Sequence, residues 1–576
     1  MIEPRALLKN AVPYSAPKEI RAGKIRLDKN ESGVGCSPKV LEALKNISTE
    51  NVAMYPEYPQ LMRKLSEFWG VPESCIMLAN GADEAIRYVA ETYIDPGDEV
   101  IIPCPTFSMF EILFQNAGAR IEKILYNDDL AFPTERVLKS ISGRTRAIVI
   151  VSPNSPTGSS IPGEALLQIL KRAPQSLILL DETYSHFTGE TAVDLIAKFH
   201  NLFILKTFSK ISGFAGLRLG NVLSDEKNIA NLNKVRLPYC VNSLAIIAGC
   251  AALDDKAFIE IAVEANRIEK EFLYEELEKL GLVTYKTDAN FILVKFGCWR
   301  DLVYHALHEK GVLLRNMKEH ALITDCLRIS IGTRKQHELL LAALREVLPP
   351  QALLFDMDGV LVDVSNSYRM AIKLTAEYFS GGAVSLAEIQ ELKDRGGYNN
   401  DWDLTEAIIK SRGKTINRKE IVDQFQRFYL GKNFDALLAN ERWLFKSKVL
   451  DTLSTKFKLG IVTGRPRVEA MHALERYGVK RYFDVVIAME DVPEDKQKPD
   501  PMGVKMAIRQ LGVRRAAYLG DTIDDIKAAA GASAIPVAVI TEQNQRSALL
   551  NAFKQHGATY ILKNVNEIVE VWNEAC

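Results

Sequence analysis

The sequence predicts an α/β fold, mainly because continuous apolar runs alternate with helical patterns. Residues 147–151, 177–180 and 202–205 are three such runs, with lengths typical of strands. Runs without polar alternation indicate strands buried on both faces, as in parallel sheets that helices cover. Similar runs recur after residue 350, so we expect two α/β domains.

The composition is that of an ordinary globular protein. Of 576 residues, 47% are apolar and 25% are charged, and the formal net charge is −1. These values exclude a wholly disordered chain and give no sign of a polyanionic partner such as a nucleic acid. The eight cysteines form no CxxC pair or Cys/His cluster, so we expect neither a zinc site nor a disulfide framework.

The sequence shows no targeting or membrane segment. Residues 1–15 lack the apolar core of a signal peptide. The run from Leu244 to Leu253 is far shorter than the roughly 20 residues that cross a bilayer. We therefore expect a cytoplasmic protein without a membrane partner.

The chain divides near residue 350. Residues 335–347 form an amphipathic helical pattern, two prolines stop it, and an apolar strand follows at residues 352–355. We expect a first domain over residues 1–348, a short linker at 349–351 and a second domain over 352–576. One domain running through the whole chain is the alternative.

Polar residues follow each of the three strands of the first domain, where ligands of parallel sheets bind. Lys210 comes directly after Ser209, and Arg218 lies eight residues further along. A lone lysine after a strand would be solvated surface. An amine, a hydroxyl and a guanidinium together suit an aldehyde cofactor that carries a phosphate.

A series of short motifs makes the first domain resemble the fold-type I pyridoxal-phosphate aminotransferases. Features near both ends narrow the resemblance to the histidinol-phosphate aminotransferases, over about residues 5–348. The motifs are LDKNE at 27–31, the Tyr55-Pro56 pair, NGADE at 80–84, PTF at 105–107, PTG at 156–158, DETY at 181–184, Ser209-Lys210 with Arg218, and LRISIGT at 327–333.

This resemblance implies a role for residues around pyridoxal 5′-phosphate. Lys210 would bind the cofactor as a Schiff base and then move the α-proton of the substrate. Asp181 would pair with the pyridine nitrogen and keep it protonated. Tyr184 would donate a hydrogen bond to the ring hydroxyl, and Phe107 would stack on the ring.

The resemblance also implies how the phosphate, the substrate and a second subunit are bound. Backbone N–H groups at Ala82 and Asp83, with Ser209 and Arg218, would hold the cofactor phosphate. Tyr55 would reach the phosphate in a neighbouring subunit, which implies a homodimer. The substrate would be bound by Asn30, Arg315 and Arg328, the two arginines holding its anionic end.

One position departs from this family. Its members usually have asparagine immediately before Pro-Thr-Gly, where it contacts the ring hydroxyl, whereas this sequence has Ser155. Serine is shorter and donates only one hydrogen, so cofactor affinity or electronics are expected to differ. Asn154 is the candidate to compensate. A domain that binds cofactor but transaminates poorly is the alternative.

In the second domain, the strand at 352–355 leads into Asp356 and Asp358. Asp-x-Asp-Gly also begins calcium loops, but the later acidic positions of an EF-hand are missing. Two further predicted strands, at residues 458–462 and 517–520, lead into Thr463-Gly464-Arg465 and into the DTIDD of residues 521–525. Lys498-Pro499 lies between these two motifs.

In order, these motifs resemble the haloacid dehalogenase superfamily of Mg²⁺-dependent phosphatases over about residues 351–576. The resemblance implies a Rossmann-like domain in which Asp356 attacks phosphorus, forming an aspartyl phosphate, and Asp358 acts as general acid and base. The phosphoryl oxygens would be bound by Thr463, Gly464 and Lys498. Mg²⁺ would be held by Asp356, Asp521 and the backbone carbonyl of Asp358, with Asp525 in its outer shell. A catalytically dead relative is the alternative.

The segment between the first two motifs, about residues 364–457, is rich in helical periodicity. It resembles the helical cap that closes over the substrates of small-molecule phosphatases. Residues 395–401 interrupt the pattern. They are a candidate substrate-facing loop, with an exposed turn as the alternative.

The two resemblances together suggest consecutive reactions. The first domain would convert imidazole acetol phosphate and glutamate into histidinol phosphate and 2-oxoglutarate, and the second would then release histidinol. Alternatively, the two sites act on another amino acid or amino-phosphate and an unrelated phosphomonoester, because arginines bind carboxylates as well as phosphates. A third interpretation makes the second domain a regulatory module that senses a phosphometabolite, and a fourth makes it a phosphoglucomutase.

Overall fold

The computed structural model describes residues 20–394, 400–540 and 547–572, together with residues 2, 3, 5 and 8. The chain forms two compact units, Met1–Val347 and Leu348–Cys576. Sheets of largely parallel strands and many helices in both units confirm the predicted α/β class. Among the described residues, no helix combines the length and the apolar character needed to cross a membrane.

A seven-stranded sheet forms the centre of the first unit, and two smaller sheets accompany it. The strands of this unit are β1 (Ile25–Arg26), β2 (Ile76–Ala79), β3 (Glu99–Cys104), β4 (Arg120–Leu125), β5 (Thr145–Val151), β6 (Leu177–Asp181), β7 (Leu202–Thr207), β8 (Gly220–Leu223), β9 (Val283–Tyr285), β10 (Phe291–Lys295), β11 (Val312–Leu313), β12 (Arg315–Asn316) and β13 (Cys326–Ser330).

The large sheet has the strand order β2-β8-β7-β6-β5-β3-β4. Only β8 runs antiparallel to its neighbours, so the carboxyl ends of β5, β6 and β7 lie at one edge. Alternate residues of β5 enter two different cores: Ile148 and Ile150 lie in one, and Val149 and Val151 in the other. This double burial is why the strands are apolar without interruption.

Helices cover both faces of that sheet. Helices α3, α7 and α9 contribute to one core, and α4, α5 and α8 contribute to the other. The helices of the first unit are α1 (Pro38–Lys45), α2 (Thr49–Ala53), α3 (Pro59–Trp69), α4 (Ala82–Tyr93), α5 (Ser108–Ala117), α6 (Thr134–Ser140), α7 (Gly163–Arg172), α8 (Glu226–Leu232), α9 (Ser243–Leu253), α10 (Lys256–Lys279), α11 (Arg300–Glu309) and α12 (Arg334–Val347).

The second unit has a six-stranded parallel sheet and a separate pair of two-residue strands. Its strands are β14 (Ala352–Phe355), β15 (Val362–Asp363), β16 (Arg442–Trp443), β17 (Lys458–Val462), β18 (Val485–Ile487), β19 (Ala516–Gly520), β20 (Ile535–Val539) and β21 (Tyr560–Leu562). In the main sheet β14 lies between β17 and β19, in the order β18-β17-β14-β19-β20-β21. The three predicted motif-bearing strands are therefore adjacent.

Among the described residues, four α-helices lie between β15 and β16, which pair antiparallel where the chain enters and leaves this insertion. Helix α17 packs beside β17 of the main sheet, so the insertion ends near residue 441, earlier than the expected 457. The helices of this unit are α13 (Tyr368–Ser380), α14 (Leu386–Asp394), α15 (Asp401–Ser411), α16 (Arg418–Tyr429), α17 (Ser447–Ser454), α18 (Arg467–Arg476), α19 (Met502–Leu511), α20 (Ile523–Gly531), α21 (Ser547–Gln555) and α22 (Ile568–Val571).

Candidate active sites

Lys210 lies in the loop after β7, close to residues from two other segments. Its Nζ donates a hydrogen bond to the Lys29 carbonyl at 2.9 Å and lies 5.9 Å from the centre of the Tyr184 ring. The side-chain amide of Asn30 donates to the Tyr184 hydroxyl at 2.9 Å. The fold thus brings together three residues that are distant in the sequence.

Asp181 is the last residue of β6 and is buried. Its Oδ1 accepts a hydrogen bond from the Thr183 backbone at 2.8 Å. Burial raises the pKa of Asp181 to about 6, with smaller contributions from Asp83 and Glu182. A buried carboxyl with a raised pKa is stabilised in its charged form by a cation, and a protonated pyridine nitrogen is such a partner. This site therefore fits pyridoxal 5′-phosphate.

The predicted phosphate-binding groups converge where α4 begins. Arg218 Nη1 donates to Ser209 Oγ at 3.4 Å, and Nη2 pairs with Asp83 at 3.0 Å. Gly81, which precedes Ala82 at the start of α4, has a φ of +81°, and a Cβ there would lie 2.5 Å from Arg218 Nη2. Only glycine allows this approach, which brings a guanidinium to a helix N-terminus, a favourable place for phosphate.

Asn154 is fully buried, and its side chain bonds within its own loops. The amide donates to the Pro105 carbonyl and to Thr157 Oγ1, and Oδ1 accepts from Thr106 Oγ1 at 2.6 Å. Both amide hydrogens are used, so the expected compensation by Asn154 is wrong. Asn154 holds the loops in place and offers the cofactor no donor.

Ser155 instead contacts a substrate-binding candidate. Arg328 Nη1 donates to Ser155 Oγ at 2.9 Å, and Nη2 donates to the Asp28 carbonyl at 2.7 Å. These two bonds fix the guanidinium plane. Asparagine at this position would offer a donor in addition to an acceptor, whereas the single oxygen of Ser155 accepts from Arg328.

Arg315 and Arg328 lie directly opposite each other on the antiparallel strands β12 and β13. Two like charges in cross-strand positions are unfavourable unless an anion lies between or beside them. His320 is close to both: burial lowers the pKa of its imidazole, and Arg315 and Arg328 lower it further. The sequence interpretation missed His320, because no motif surrounds it.

Phe107 and Tyr55, two of the three predicted aromatic residues, each contact another aromatic ring. Phe107 is the N-cap residue of α5 and lies edge-on to Phe110, with 6.2 Å between ring centres. Tyr55 is 76% exposed and stacks on Tyr239, with 4.3 Å between ring centres.

Asp356 directly follows β14, and Lys498 joins it to Asp525. Lys498 Nζ lies 2.9 Å from Asp356 Oδ1 and 2.7 Å from Asp525 Oδ1, and all three side chains are buried. Burial raises the pKa of Asp356; Lys498 opposes this rise, and the neighbouring carboxylates add to it. Burial disfavours the Lys498 ammonium, but Asp356 and Asp525 more than compensate and raise its pKa.

Asp356, Asp521 and Asp525 form a candidate metal site, with one oxygen of each within 4.8 Å of the others. Burial, and then Asp525, raise the pKa of Asp521 to about 7. Gly359 has a φ of +74°, and a Cβ there would lie 2.1 Å from Asp521 Oδ2, so only glycine lets this backbone come so close. Crowded carboxylate oxygens are ligands that Mg²⁺ prefers, so the site fits this ion.

Asp525 is the least able of these carboxylates to bind a metal directly. Its Oδ1 accepts from Lys498 and from the Tyr518 hydroxyl, and its Oδ2 accepts from the backbone and hydroxyl of Thr522. This arrangement agrees with an outer-shell position, in which Asp525 orients Lys498.

Asp358 is held by Arg465, a residue to which the sequence interpretation gave no role. Arg465 Nε donates to Asp358 Oδ1 at 2.5 Å, and both Nη atoms donate to Glu441 at 3.0 Å. The Arg465 side chain is fully buried. Burial raises the pKa of Asp358, and Arg465 opposes that rise.

Thr463 and Gly464 follow β17, next to this cluster. Thr463 is buried, and its Oγ1 accepts from the Arg465 backbone at 3.2 Å. Gly464 lines the same pocket as Asp356, Asp358 and Lys498. Asp356, Asp358, Gly464, Lys498 and Asp521 thus line one pocket at the carboxyl ends of β14, β17 and β19, and Thr463 lines the neighbouring one.

Residues of the helical insertion line that pocket as well. They include Arg369, Lys393, Asp401 and Trp402, and Lys393 Nζ lies 2.7 Å from Asp401 Oδ1. Residues 395–399 of the predicted substrate-facing loop lie outside the described residues; Asn400 caps α15 by accepting a hydrogen bond from Trp402 N.

The two arrangements define a chain with two kinds of catalytic unit. The first is a fold-type I transferase that uses pyridoxal phosphate, and the second is a Rossmann-like hydrolase that uses Mg²⁺. The chain belongs to the family of class I and II aminotransferases, whose pattern matches residues 22–344. Residues 350–533 match the haloacid dehalogenase-like hydrolases. These matches confirm the predicted fusion, both cofactors and its character as an enzyme.

Curated relatives resemble the first unit over most of their own length. The histidinol-phosphate aminotransferase of Moorella thermoacetica is 39% identical over 335 residues, which are 56% of this chain and 85% of the relative. That of Bacillus subtilis is 35% identical over 356 residues, 59% of this chain and 98% of the relative. A solved histidinol-phosphate aminotransferase from Sinorhizobium meliloti, in complex with pyridoxal 5′-phosphate, shares the fold with a TM-score of 0.53 and 23% identity, covering 56% of this chain and 90% of that one.

Proposed function

We propose that the first unit transfers the amino group of glutamate to imidazole acetol phosphate, giving histidinol phosphate and 2-oxoglutarate. The observation that carries this proposal is the identity of 35–39% to histidinol-phosphate aminotransferases over 85–98% of their length. The arginine pair at 315 and 328 supports a substrate with an anionic end.

The residues of the first site divide the work of transamination. When bound, pyridoxal phosphate supplies the aldehyde and the electron-accepting ring. Lys210 Nζ provides the amine and moves the α-proton of the substrate, and Asp181 keeps the pyridine nitrogen protonated. Arg218, Ser209 and the start of α4 bind the phosphate.

We propose that the second unit hydrolyses the product of the first, histidinol phosphate. Asp401 and Trp402 support this, because both line the pocket that also contains Asp356 and Asp358. A carboxylate and an indole ring suit an alcohol that carries an ammonium and an imidazole.

The residues of the second site support a two-step hydrolysis. Asp356, Asp521 and the Asp358 carbonyl would hold Mg²⁺, which would screen the repulsion between carboxylate and phosphate. Asp356 attacks phosphorus, Lys498 neutralises the transferring group, and Asp358 protonates the departing oxygen. Asp358 then takes a proton from the water that hydrolyses the aspartyl phosphate.

A coupled assay tests both halves of this proposal. The purified protein is given imidazole acetol phosphate, glutamate and Mg²⁺, and 2-oxoglutarate and inorganic phosphate are measured together. We expect phosphate to appear after a lag, once histidinol phosphate has formed. If the reaction stopped at histidinol phosphate while another ester was hydrolysed, the consecutive-step proposal would be wrong and two separate substrates would be correct.

We further propose that the first unit forms a homodimer in which Tyr55 completes the partner's site. The 76% exposure of Tyr55 within one chain supports this role. Mixing Tyr55→Phe subunits with Lys210→Ala subunits should restore part of the transamination activity in hybrid dimers. A fully active monomer in sedimentation would contradict the proposal.

A further inference from the structure

Buried charged side chains connect Asp358, the general acid of the phosphatase site, to the point where the chain enters and leaves the helical insertion. Arg465 contacts Asp358 through Nε and Glu441 through both Nη atoms. The Arg465 side chain is 0% exposed and that of Glu441 is 2% exposed. Breaking a buried pair leaves an uncompensated charge, so this arrangement has one strongly preferred geometry.

Glu441 lies at the point where the chain leaves the helical insertion. It directly precedes β16, which pairs with β15 at the entry point. Its Oε1 also accepts hydrogen bonds from Ser367 Oγ at 2.8 Å and from the Tyr429 hydroxyl at 3.0 Å, both on the insertion side. The carboxylate of Glu441 therefore links Arg465 to residues of the helical insertion.

We propose that the Arg465–Glu441 pair positions the Asp358 carboxyl for proton transfer to the leaving group. This position depends on the contacts of Glu441 with Ser367 and Tyr429 of the helical insertion. This inference rests on the proposed phosphatase function. Arg465 and Glu441 are positioning residues: they act on the reaction through Asp358. Nε fixes the carboxyl of Asp358, and the two bonds to Glu441 fix the guanidinium plane.

The dependence of rate on the leaving group separates this role from simple structural support. An alkyl phosphate needs its departing oxygen protonated, whereas p-nitrophenolate leaves readily without an acid. The quantity kcat/KM covers the steps up to release of the alcohol or phenol and excludes the later hydrolysis of the aspartyl phosphate. It therefore isolates the acid function of Asp358 from its function as base.

The test compares kcat/KM for histidinol phosphate, glycerol 2-phosphate and p-nitrophenyl phosphate with Mg²⁺ in the full-length protein. Arg465→Lys should lower the value about 100-fold for the two alkyl esters and less than about threefold for the aryl ester. Glu441→Gln should show the same pattern at about tenfold, because glutamine keeps part of the contact with Arg465. The matched control is Arg467→Lys, which changes an arginine two residues away that pairs with Asp491 at the surface.

Each outcome decides a separate question. Equal losses for alkyl and aryl esters, or no losses, would overturn the positioning role. Activity toward the aryl ester reports that a variant is folded, and Glu441→Gln carries the test if Arg465→Lys does not fold. If the wild type hydrolysed none of the esters, the phosphatase function itself would fail. If it hydrolysed glycerol 2-phosphate but not histidinol phosphate, only the proposed substrate would fail.

Discussion

In the first unit a single buried carboxyl, that of Asp181, is assigned to the cofactor, whereas in the second unit Asp356, Asp521 and Asp525 each place one oxygen within 4.8 Å of the others. Burial raises the pKa of Asp181 to about 6 and, with Asp525, that of Asp521 to about 7. Burial therefore disfavours the charged form of one assigned carboxyl in the first site and of several neighbouring carboxyls in the second.

This difference follows from what each site binds. A large cofactor brings its own ring, aldehyde and phosphate, so the chain supplies single, separate partners such as Asp181 and Arg218. A small divalent ion brings only charge, so the chain must supply the ligands and the opposing cation, here Lys498, in one place. The comparison predicts that a substitution in one site abolishes the activity of that site and leaves the other activity unchanged.

The largest expected effect is that of Asp356→Asn. This change keeps the volume of the side chain but removes the carboxylate that attacks phosphorus. Phosphate release should fall by about four orders of magnitude or more, because the covalent step is lost. Transamination should stay within about twofold of wild type, and histidinol phosphate should accumulate in the coupled assay. Asp495→Asn, at an exposed position, is the matched control.

Lys210→Ala is the corresponding change in the first site. Because it removes both the amine that binds the cofactor and the group that moves the α-proton, transamination should fall by about three orders of magnitude or more. Hydrolysis of added histidinol phosphate should be unchanged. The absorbance of the bound cofactor should shift, and borohydride should no longer attach it to the protein. Lys198→Ala, at an exposed position, serves as control; a Lys210→Ala protein that still turned over would contradict the assignment.

Much of the fold was predictable because strands buried on both faces appear in the sequence as uninterrupted apolar runs. The run at residues 352–355 forms β14 with the same bounds, and the helical pattern at 335–347 forms α12 with one more residue at its start. The end of the cap was harder to predict. Helix α17 has the same amphipathic pattern as a cap helix, and its packing beside β17, together with the β15–β16 pairing that precedes it, assigns it to the main domain.

The sites were predictable where a motif fixes spacing, as for Lys210 and Asp356. His320, Arg465 and Glu441 were missed or given no role, because their importance comes from contacts between segments distant in the chain. Glu441 lies 24 residues from Arg465, and no local pattern marks it. Asn154 shows the opposite case: its residue type suited a cofactor contact, but its amide is used by Pro105 and Thr157.

The second unit should lose stability as pH rises, and Glu469→Gln should reduce this loss. Glu469 accepts hydrogen bonds from the Tyr368 hydroxyl and from Gln426. Burial raises its pKa from 4.5 to about 7, with Tyr368 and Arg465 opposing the rise and Asp358 adding to it. The stabilisation is present below pH 4.5 and is lost as pH rises through 7. The difference of about 2.5 pKa units sets a limit of about 3 kcal/mol.

Thermal unfolding measured from pH 5 to pH 8 in the presence of Mg²⁺ tests this prediction. The relevant transition is the one that adding or removing Mg²⁺ shifts, because a ligand stabilises the unit that binds it and the candidate metal site lies in the second unit. Glutamine is neutral throughout, so the variant should gain on the wild type as pH rises. An equal slope in both proteins would show that Glu469 is charged over the whole range.

The smallest expected effect is that of Ser155→Asn, which tests how the serine at this position affects the affinity of the first site for its cofactor. Ser155 Oγ accepts from Arg328 Nη1 at 2.9 Å. An asparagine carboxamide keeps an acceptor for Arg328 and adds a donor for the ring hydroxyl of the cofactor, a contact worth about 1 kcal/mol. Titrating the apoprotein with pyridoxal 5′-phosphate should therefore show binding that is about fivefold tighter, while Ser155→Ala should weaken glutamate binding by releasing Arg328. Weaker cofactor binding by Ser155→Asn would mean that the loop held by Asn154 has no room for the longer side chain, and that the serine is required by packing.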